Sequence, residues 1–106
     1  MARIAAVAPD LFFASKIDAT LRAAGHDVEL VQAPAAGDAV ADLLIVDLDA
    51  AGPDVSAPPG VPRLGFYSHV DVDTKRRADD AGFDLVVPRS RMAREMPALV
   101  EGLLRQ

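Results

Sequence analysis

The chain has 106 residues, of which 51% are hydrophobic, 16 are acidic and 11 are basic, so its formal net charge is −5. This length suits one compact domain over residues 1–106 with a buried core. The absence of cysteine excludes disulfides, thiolate metal sites and cysteine nucleophiles. The sequence shows neither a signal peptide nor an apolar run near the roughly 20 residues that cross a bilayer, so we expect a cytoplasmic protein with no membrane partner.

The negative charge is concentrated in the first half of the chain. Residues 1–53 carry 8 acidic and 3 basic side chains, whereas residues 54–106 carry 8 of each. Phosphate backbones are bound by clustered positive charge. The sequence therefore argues against nucleic acid as a partner.

The first two elements are a strand and a helix. Residues 4–8 form a short apolar run that predicts a buried strand, and Pro9 ends it. Asp10 suits the N-cap of the following helix, and Gly25 suits the position just after its end, where φ is positive. The apolar residues of this helix recur at helical spacing: Leu11, Phe13, Ala14, Ile17, Leu21 and Ala24.

The next part of the chain predicts two strands separated by a weak crossover. Residues 28–31 are the second strand, with Glu29 facing solvent. Residues 32–41 are rich in alanine and broken by proline and glycine, so they hold at most one short helix. Residues 42–47 are the third strand, whose unbroken apolar run is typical of burial on both faces. Asp47 stands at its carboxyl end.

The second half continues the alternation of strands and helices. Residues 48–61 contain three prolines and predict a loop with at most one helical turn. A fourth strand covers 63–67, a helix capped by Asp71 or Asp73 runs to residue 81, and a fifth strand covers 83–87. A turn at 88–90 precedes the last helix, which either kinks at Pro97 or begins near it.

This alternation predicts a three-layer α/β domain with a parallel sheet and helices on both faces. In such sheets the ligand crevice lies at the carboxyl ends of the strands, where Asp47 falls. No phosphate-binding glycine loop, zinc spacing or dinucleotide fingerprint is present in the sequence. The function therefore depends on what surrounds Asp47.

The order of elements resembles the receiver domain of bacterial response regulators over nearly the whole chain. The segment DLLIVDLD is similar to the third receiver strand and places Asp47 at the phosphoacceptor position. PRLGFYSH and GFDLVVPR are similar to the fourth strand with its switch residue and to the fifth strand with its lysine. The resemblance implies a flavodoxin-like domain with five parallel strands in the order 2-1-3-4-5, its third helix reduced to a proline-rich loop.

The chain departs from the receiver pattern at the positions that carry the chemistry. The acidic pair after the first strand is reduced to Asp10, the switch position falls on Tyr67 with Ser68 next to it, and the lysine position falls on Arg89. Phosphoryl transfer to a carboxylate needs Mg²⁺ and a lysine to neutralise charge. Asp10 and Asp47 alone would hold Mg²⁺ weakly.

Several side chains have both a structural and a functional interpretation. Asp47 is either a phosphoacceptor or a residue that ends a strand, and Asp10 is either a metal ligand or an N-cap. Ser68 and His69 lie at the expected mouth of the sheet, where Ser68 could contact a phosphate and His69 could titrate near neutral pH. The two residues form no nucleophile–base pair, because adjacent strand residues point to opposite faces. An ion pair between Arg89 and Asp47 would close the site.

Two surface features suggest contacts with other proteins. Arg89, Arg91 and Arg94, together with residues 75–77, form either a basic patch or solvated helix faces. Phe12 and Phe13 are adjacent, so one of them leaves the buried stripe of the first helix, and an exposed Phe12 would suggest a contact surface.

We therefore expect a non-enzymatic regulatory or protein-interaction module that resembles a degenerate receiver, a pseudo-receiver, and uses no cofactor. Receivers commonly use their fourth helix, fifth strand and last helix for contacts, so the resemblance implies a protein partner or a homodimer there. One alternative is a phosphorylatable receiver with Asp47 as acceptor, Asp10 assisting Mg²⁺, Ser68 as switch and Arg89 replacing lysine. Another is a binder of small molecules at the crevice.

Overall fold

In a computed structural model, the chain forms five strands and four helices over the described residues, which are 2–31, 41–52, 55, 57, 60–68 and 72–105. The strands are β1 (Arg3–Val7), β2 (Asp27–Leu30), β3 (Leu43–Asp47), β4 (Arg63–Tyr67) and β5 (Leu85–Pro88). The helices are α1 (Leu11–Ala23), α2 (Leu48–Ala51), α3 (Val72–Asp80) and α4 (Arg89–Leu104). Within these ranges no helix is long and apolar enough to span a membrane.

The strands form one parallel sheet in the order β2-β1-β3-β4-β5, which confirms the predicted topology. β1 lies between β2 and β3, and Ile4 is in register with Val28 on one side and Leu43 on the other. β4 lies between β3 and β5, so Phe66 is in register with both Asp47 and Val87. All five strands therefore end at the same edge of the sheet.

Side chains alternate between two cores, one on each face of the sheet. The first core lies under α1 and α4 and includes Ile4, Ile45, Phe66, Met92 and Val100. The second lies under α2 and α3 and includes Ala5, Val46, Leu48, Ala78 and Phe83. Residues 43–47 are all buried, as expected for a central strand covered on both faces. Asp47 shares its face with Ile45, and therefore points toward α1 and α4.

Gly65 allows close packing on the second face. A Cβ atom at this position would lie 2.8 Å from Cδ1 of Leu48 and 3.1 Å from Cδ2 of Phe83. A side chain here would displace the side chains of Leu48, at the start of α2, and of Phe83, which precedes β5.

The amino ends of β3 and β5 are fixed by two equivalent aspartates. The backbone N–H of Asp42 donates to the Arg3 carbonyl at 2.7 Å, and Oδ2 of Asp42 accepts from the Arg3 N–H at 2.8 Å. Asp84 does the same with Arg63 at 3.0 and 2.8 Å. Each aspartate satisfies the first N–H of the neighbouring strand.

The structure confirms the predicted ends of the first helix. Asp10 is its N-cap, Ala24 its C-cap, and Gly25 follows with a φ of 95°. α2 is the single helical turn allowed in the proline-rich segment. The short helix considered for 32–41 falls almost entirely outside the described residues.

One local prediction is wrong, and two others lose one of their two alternatives. Asp73 does not precede α3, because that helix begins at Val72 and Asp73 lies in its first turn; Asp71 lies outside the described residues. No turn separates β5 from α4, because Pro88 ends the strand and Arg89 begins the helix. α4 does not start near Pro97 but continues through it, since Met92 and Met96 bury the same stripe as Leu99.

Candidate functional site

Asp47 lies at the carboxyl end of β3 and is 3% exposed. It also serves as the N-cap of α2, because its Oδ1 accepts a hydrogen bond from the backbone N–H of Asp49 at 3.1 Å. The structural interpretation of this residue, a strand end that caps a turn, is thus present in the geometry. Its other oxygen points toward the last helix.

Asp10 lies across the same edge of the sheet, at the start of α1. Its Oδ1 accepts from the backbone N–H groups of Phe12 at 3.0 Å and Phe13 at 3.3 Å, as an N-cap does. Its Oδ2 is left to face the crevice. Asp10 is more exposed than Asp47, with 41% of its side chain accessible against 4%.

Arg89 connects the two carboxylates. Its Nη1 donates to Oδ2 of Asp10 at 3.0 Å, and its Nη2 donates to Oδ2 of Asp47 at 3.2 Å. The ion pair between Arg89 and Asp47 that the sequence left open is therefore present, although β4 lies between β3, which ends at Asp47, and β5, which Arg89 follows. The sequence did not predict that the same guanidinium also binds Asp10.

Two aromatic rings support the guanidinium. Its central carbon lies 4.7 Å from the centre of the Phe13 ring and 5.6 Å from that of Phe66, and the two rings are 4.8 Å apart. Arginine stacks well on aromatic faces, where lysine has no planar group to match. The Nε atom of Arg89 is buried without a hydrogen-bond partner among the described residues, so the packing holds the side chain at some cost.

The two carboxyl groups respond to Arg89 in opposite ways. The hydrogen bond from Arg89, followed by that from the Phe13 N–H, lowers the pKa of Asp10. Burial raises the pKa of Asp47, and the opposing charge of Arg89 does not fully offset it. Arg89 thus stabilises an exposed carboxylate well and a buried carboxylate incompletely.

Ser68 follows β4 but is held by a different acid. Its backbone N–H donates to Oδ2 of Asp49 at 2.6 Å, and its hydroxyl donates to the same oxygen. The neighbouring Tyr67 is buried in the second core. His69 lies outside the described residues. The structure therefore brings together Asp10, Asp47 and Arg89, whereas the Ser68 hydroxyl is bound to Asp49.

Sequence reasoning missed three side chains of this edge. Asp49 stands two residues after Asp47, a spacing that places it in the first turn of any helix capped by Asp47. Phe13 was predicted only as a core residue, and Phe66 only as part of a strand. Their role as a platform for Arg89 became visible once the sheet order placed them beside it.

All four oxygens of the two carboxylates accept hydrogen bonds, two from backbone N–H groups and two from Arg89. A Mg²⁺ ion shared by Oδ2 of both acids would have to displace the guanidinium that now binds these two atoms. Over the part of the chain that the structure describes, no group of three or more acidic or histidine side chains is placed to hold a metal.

The basic side chains predicted as a possible patch are largely paired within their helices. On α3, Lys75 binds Asp79 at 2.9 Å and Arg76 approaches Asp73 at 3.7 Å. On α4, Arg91 and Arg94 approach Glu95 at 3.4 and 3.6 Å. These faces are mixed in charge, as solvated helix surfaces are.

Two large apolar side chains are exposed at the start of α1, away from these basic residues. Phe12 is 92% exposed and Leu11 is 80% exposed, both in the first turn of α1. Phe13 is buried against Phe66, so Phe12 is the one that leaves the core-facing stripe. Such exposure marks α1 as a second surface that merits testing for contacts.

Comparison with solved structures shows what this architecture is similar to. NtrX from Brucella abortus in complex with ADP matches with a TM-score of 0.84 at 18% identity, over 98% of this chain and 26% of that chain. The chain thus spans about a quarter of NtrX. A response regulator from Thermotoga maritima matches with a TM-score of 0.79 at 13% identity, over 98% of both chains.

A putative response regulator from Chloroflexus aurantiacus gives a TM-score of 0.79 at 20% identity, over 99% of this chain and 98% of that one. Neither a protein-family model nor a curated protein matches the sequence. The chain therefore has the fold of a response-regulator receiver domain, as its sequence pattern predicted. At this level of identity the likeness concerns the fold, and the crevice must be interpreted from its own residues.

Proposed function

We propose that this chain is a non-enzymatic, receiver-like regulatory module of the cytoplasm, a pseudo-receiver whose crevice is closed by Arg89. The observation that carries the proposal is the guanidinium that donates to both Asp10 and Asp47, at 3.0 and 3.2 Å. A positive charge that belongs to the chain occupies the place between the two acids. Arg89 thus balances one of the two negative charges of the crevice.

This arrangement opposes phosphoryl transfer to Asp47 in two ways. Both oxygens of Asp47 accept a hydrogen bond, one from Arg89 and one from the Asp49 N–H, and each of these bonds withdraws electron density from the oxygen that would attack. An incoming phosphoryl group also needs positive charge directed at its equatorial oxygens, whereas the two Nη atoms of Arg89 are directed at Asp10 and Asp47 and its guanidinium lies on two rings. Both features must be undone before the reaction begins.

Incubation with acetyl phosphate and Mg²⁺, followed by intact-mass spectrometry, tests the proposal. We expect no phosphate adduct on the wild-type chain. Asp47→Asn is the matched control, because it removes the acceptor and keeps an oxygen that can accept from Arg89. An adduct on the wild type that is lost in Asp47→Asn would overturn the proposal.

The second candidate function is a phosphorylatable receiver, favoured by the position of Asp47 at the carboxyl end of the central strand in the receiver fold. Arg89→Lys separates the two candidates. Lysine puts a single nitrogen in place of the two Nη atoms that each bind one carboxylate, so it holds the two acids less firmly and leaves more room for Mg²⁺. An adduct that appears only in Arg89→Lys supports the closed crevice, whereas equal adducts in both chains support a working receiver.

For partner binding we propose the face formed by α3, β5 and α4, with a second copy of the chain as the occupant. A shallow groove of about 240 Å³ between β5 and α4 supports this choice, since it is lined by Leu85, Leu99 and Leu103 and bordered by the small residues Ala98 and Gly102. Sedimentation equilibrium tests it: Ala98→Glu is expected to abolish a dimer that Phe12→Ser, on α1, leaves intact. A dimer lost only in Phe12→Ser would move the contact to α1.

A further inference from the structure

A buried histidine lies at the opposite end of the sheet from the crevice. His26 follows α1, is 8% exposed and contacts two other parts of the chain. Its Nδ1 lies 3.2 Å from the backbone nitrogen of Ala2, and its Nε2 lies 3.2 Å from Oε1 of Glu101. The ring therefore connects the start of β1, the turn before β2 and the end of α4.

The two contacts determine which nitrogen of the neutral ring carries the hydrogen. A backbone N–H can only donate, so Nδ1 must accept from Ala2 through its lone pair. The single hydrogen of the neutral ring is then on Nε2, where it is donated to the Glu101 carboxylate. A neutral imidazole satisfies both partners, and the opposite tautomer satisfies neither.

A second proton must add to Nδ1, the atom that binds Ala2. The imidazolium then turns an N–H toward the Ala2 N–H and loses that hydrogen bond, while its bond to Glu101 becomes charge-assisted. Ala2 is also tied to β2, because its carbonyl accepts from the Asp27 N–H at 2.9 Å. Protonation thus acts where β1 and β2 begin to pair.

Charged side chains stand on every element that borders His26: Arg22 at the end of α1, Asp27 at the start of β2, Arg3 at the start of β1 and Glu101 on α4. An open cleft of about 700 Å³ is lined by His26 together with Glu101 and Arg105 at the end of α4, Asp42 before β3 and Asp84 before β5. Glu101 is the carboxylate in contact with the ring, so it can compensate an imidazolium through Nε2. On protonation, breaking the hydrogen bond to Ala2 therefore costs less free energy than breaking the one to Glu101.

We propose that His26 is a proton-sensitive latch, which holds the start of β1 against the α1–β2 turn only while its imidazole is neutral. Acidification opens this end of the sheet locally and leaves the Asp10–Asp47–Arg89 cluster at the other end in place. The module thereby gains a response to pH that does not pass through its crevice and does not depend on the function proposed for it.

Nitrogen-15 NMR of the histidine rings, combined with amide hydrogen exchange between about pH 7.5 and pH 5, tests this latch. We expect the Nε2–H tautomer of His26 at the upper pH. As the ring gains its second proton, the protection factors of the Ala2 and Asp27 amides should fall roughly two- to tenfold, the range that one hydrogen bond supplies. The Nδ1–H tautomer, or unchanged protection factors, would overturn the proposal.

Two variants and a control complete the test. His26→Gln keeps an oxygen that can accept from Ala2 but does not titrate, so it should abolish the pH response. Glu101→Gln keeps an oxygen that can accept from Nε2, so the Nε2–H tautomer should persist at the upper pH; this variant serves if His26→Gln does not fold. His69→Asn should leave the response unchanged, and a response that follows His69 instead contradicts the latch.

Discussion

The two ends of the parallel sheet use aspartate for different purposes. At the amino end, Asp42 and Asp84 each bind the backbone of the adjacent strand and do little else. At the carboxyl end, Asp10 and Asp47 also cap backbone N–H groups, but each keeps one oxygen for Arg89. The same residue type therefore satisfies the backbone at one end and builds a charge cluster at the other.

This difference shows how a strand-end aspartate can be interpreted. Capping occurs at both ends and does not distinguish them. What distinguishes the carboxyl end is convergence, since two acids from distant parts of the chain meet one cation on an aromatic platform. A site is indicated by the second oxygen of each carboxylate and by what it contacts.

Arg89→Ala should have the largest effect, because it leaves the buried Asp47 without a counter-charge. Breaking a fully buried pair costs about 3–5 kcal/mol, and the 28% exposure of Arg89 reduces this to about 2–3 kcal/mol. Urea unfolding measures the change in the free energy of unfolding. Arg94→Ala, at an exposed residue of the same helix, is the control and should change it by less than about 0.5 kcal/mol.

Asp84→Ala tests the amino end and should cost less, about 1 kcal/mol, since it removes one hydrogen bond to a solvent-accessible N–H. The same urea experiment applies. The lost contact is local to β4 and β5, so hydrogen exchange should increase at the Arg63 amide and stay unchanged at the crevice. If Asp84→Ala lowered the free energy of unfolding as much as Arg89→Ala, the two ends of the sheet would not differ in the way proposed here.

The smallest effect, and the sharpest, is an opposite pH dependence of the two acids that share Arg89. The pKa of Asp10 is lowered on folding, so its carboxylate stabilises the protein above the ordinary aspartate pKa of about 4 and loses this contribution as the pH falls. The pKa of Asp47 is raised on folding. Its ionisation therefore reduces stability as the pH rises from about 4.

Asp10→Asn and Asp47→Asn reveal these two contributions in unfolding experiments over a range of pH. Asp10→Asn keeps an N-cap, and its deficit relative to the wild type should shrink as the pH falls below about 4. The stability of Asp47→Asn relative to the wild type should instead improve as the pH rises above that value. If the stability difference from the wild type changed with pH in the same direction for both variants, burial would not shift the pKa values of the two acids in opposite directions.

Most of the fold could be predicted from the sequence because its signals are local. The apolar run at 43–46 and the cap at Asp10 each specify structure within a few residues. The start of α4 could not be predicted in this way. Pro88 and Pro97 both suggest breaks, yet packing of Met92 and Met96 in the first core extends the helix through one proline and begins it directly after the other.

The site could be predicted only in part. Sequence order placed Asp47 and Arg89 at strand ends, and the sheet topology then brought them to one edge. The bond between Arg89 and Asp10 depends on where α1 crosses the sheet, which no local pattern specifies. The binding of Ser68 by Asp49 likewise depends on the single turn of α2, which brings Asp49 beside the end of β4.

The contacts of Arg89 also have a consequence for the order of folding. In the sequence, Arg89 is 79 positions from Asp10 and 42 positions from Asp47. Contacts of such long range form after the strands between them have paired, because closing the intervening chain costs entropy first. We therefore expect the guanidinium to enter its place near the end of folding, so that its loss accelerates unfolding more than it slows folding. On this expectation, Arg89 lengthens the lifetime of the native state.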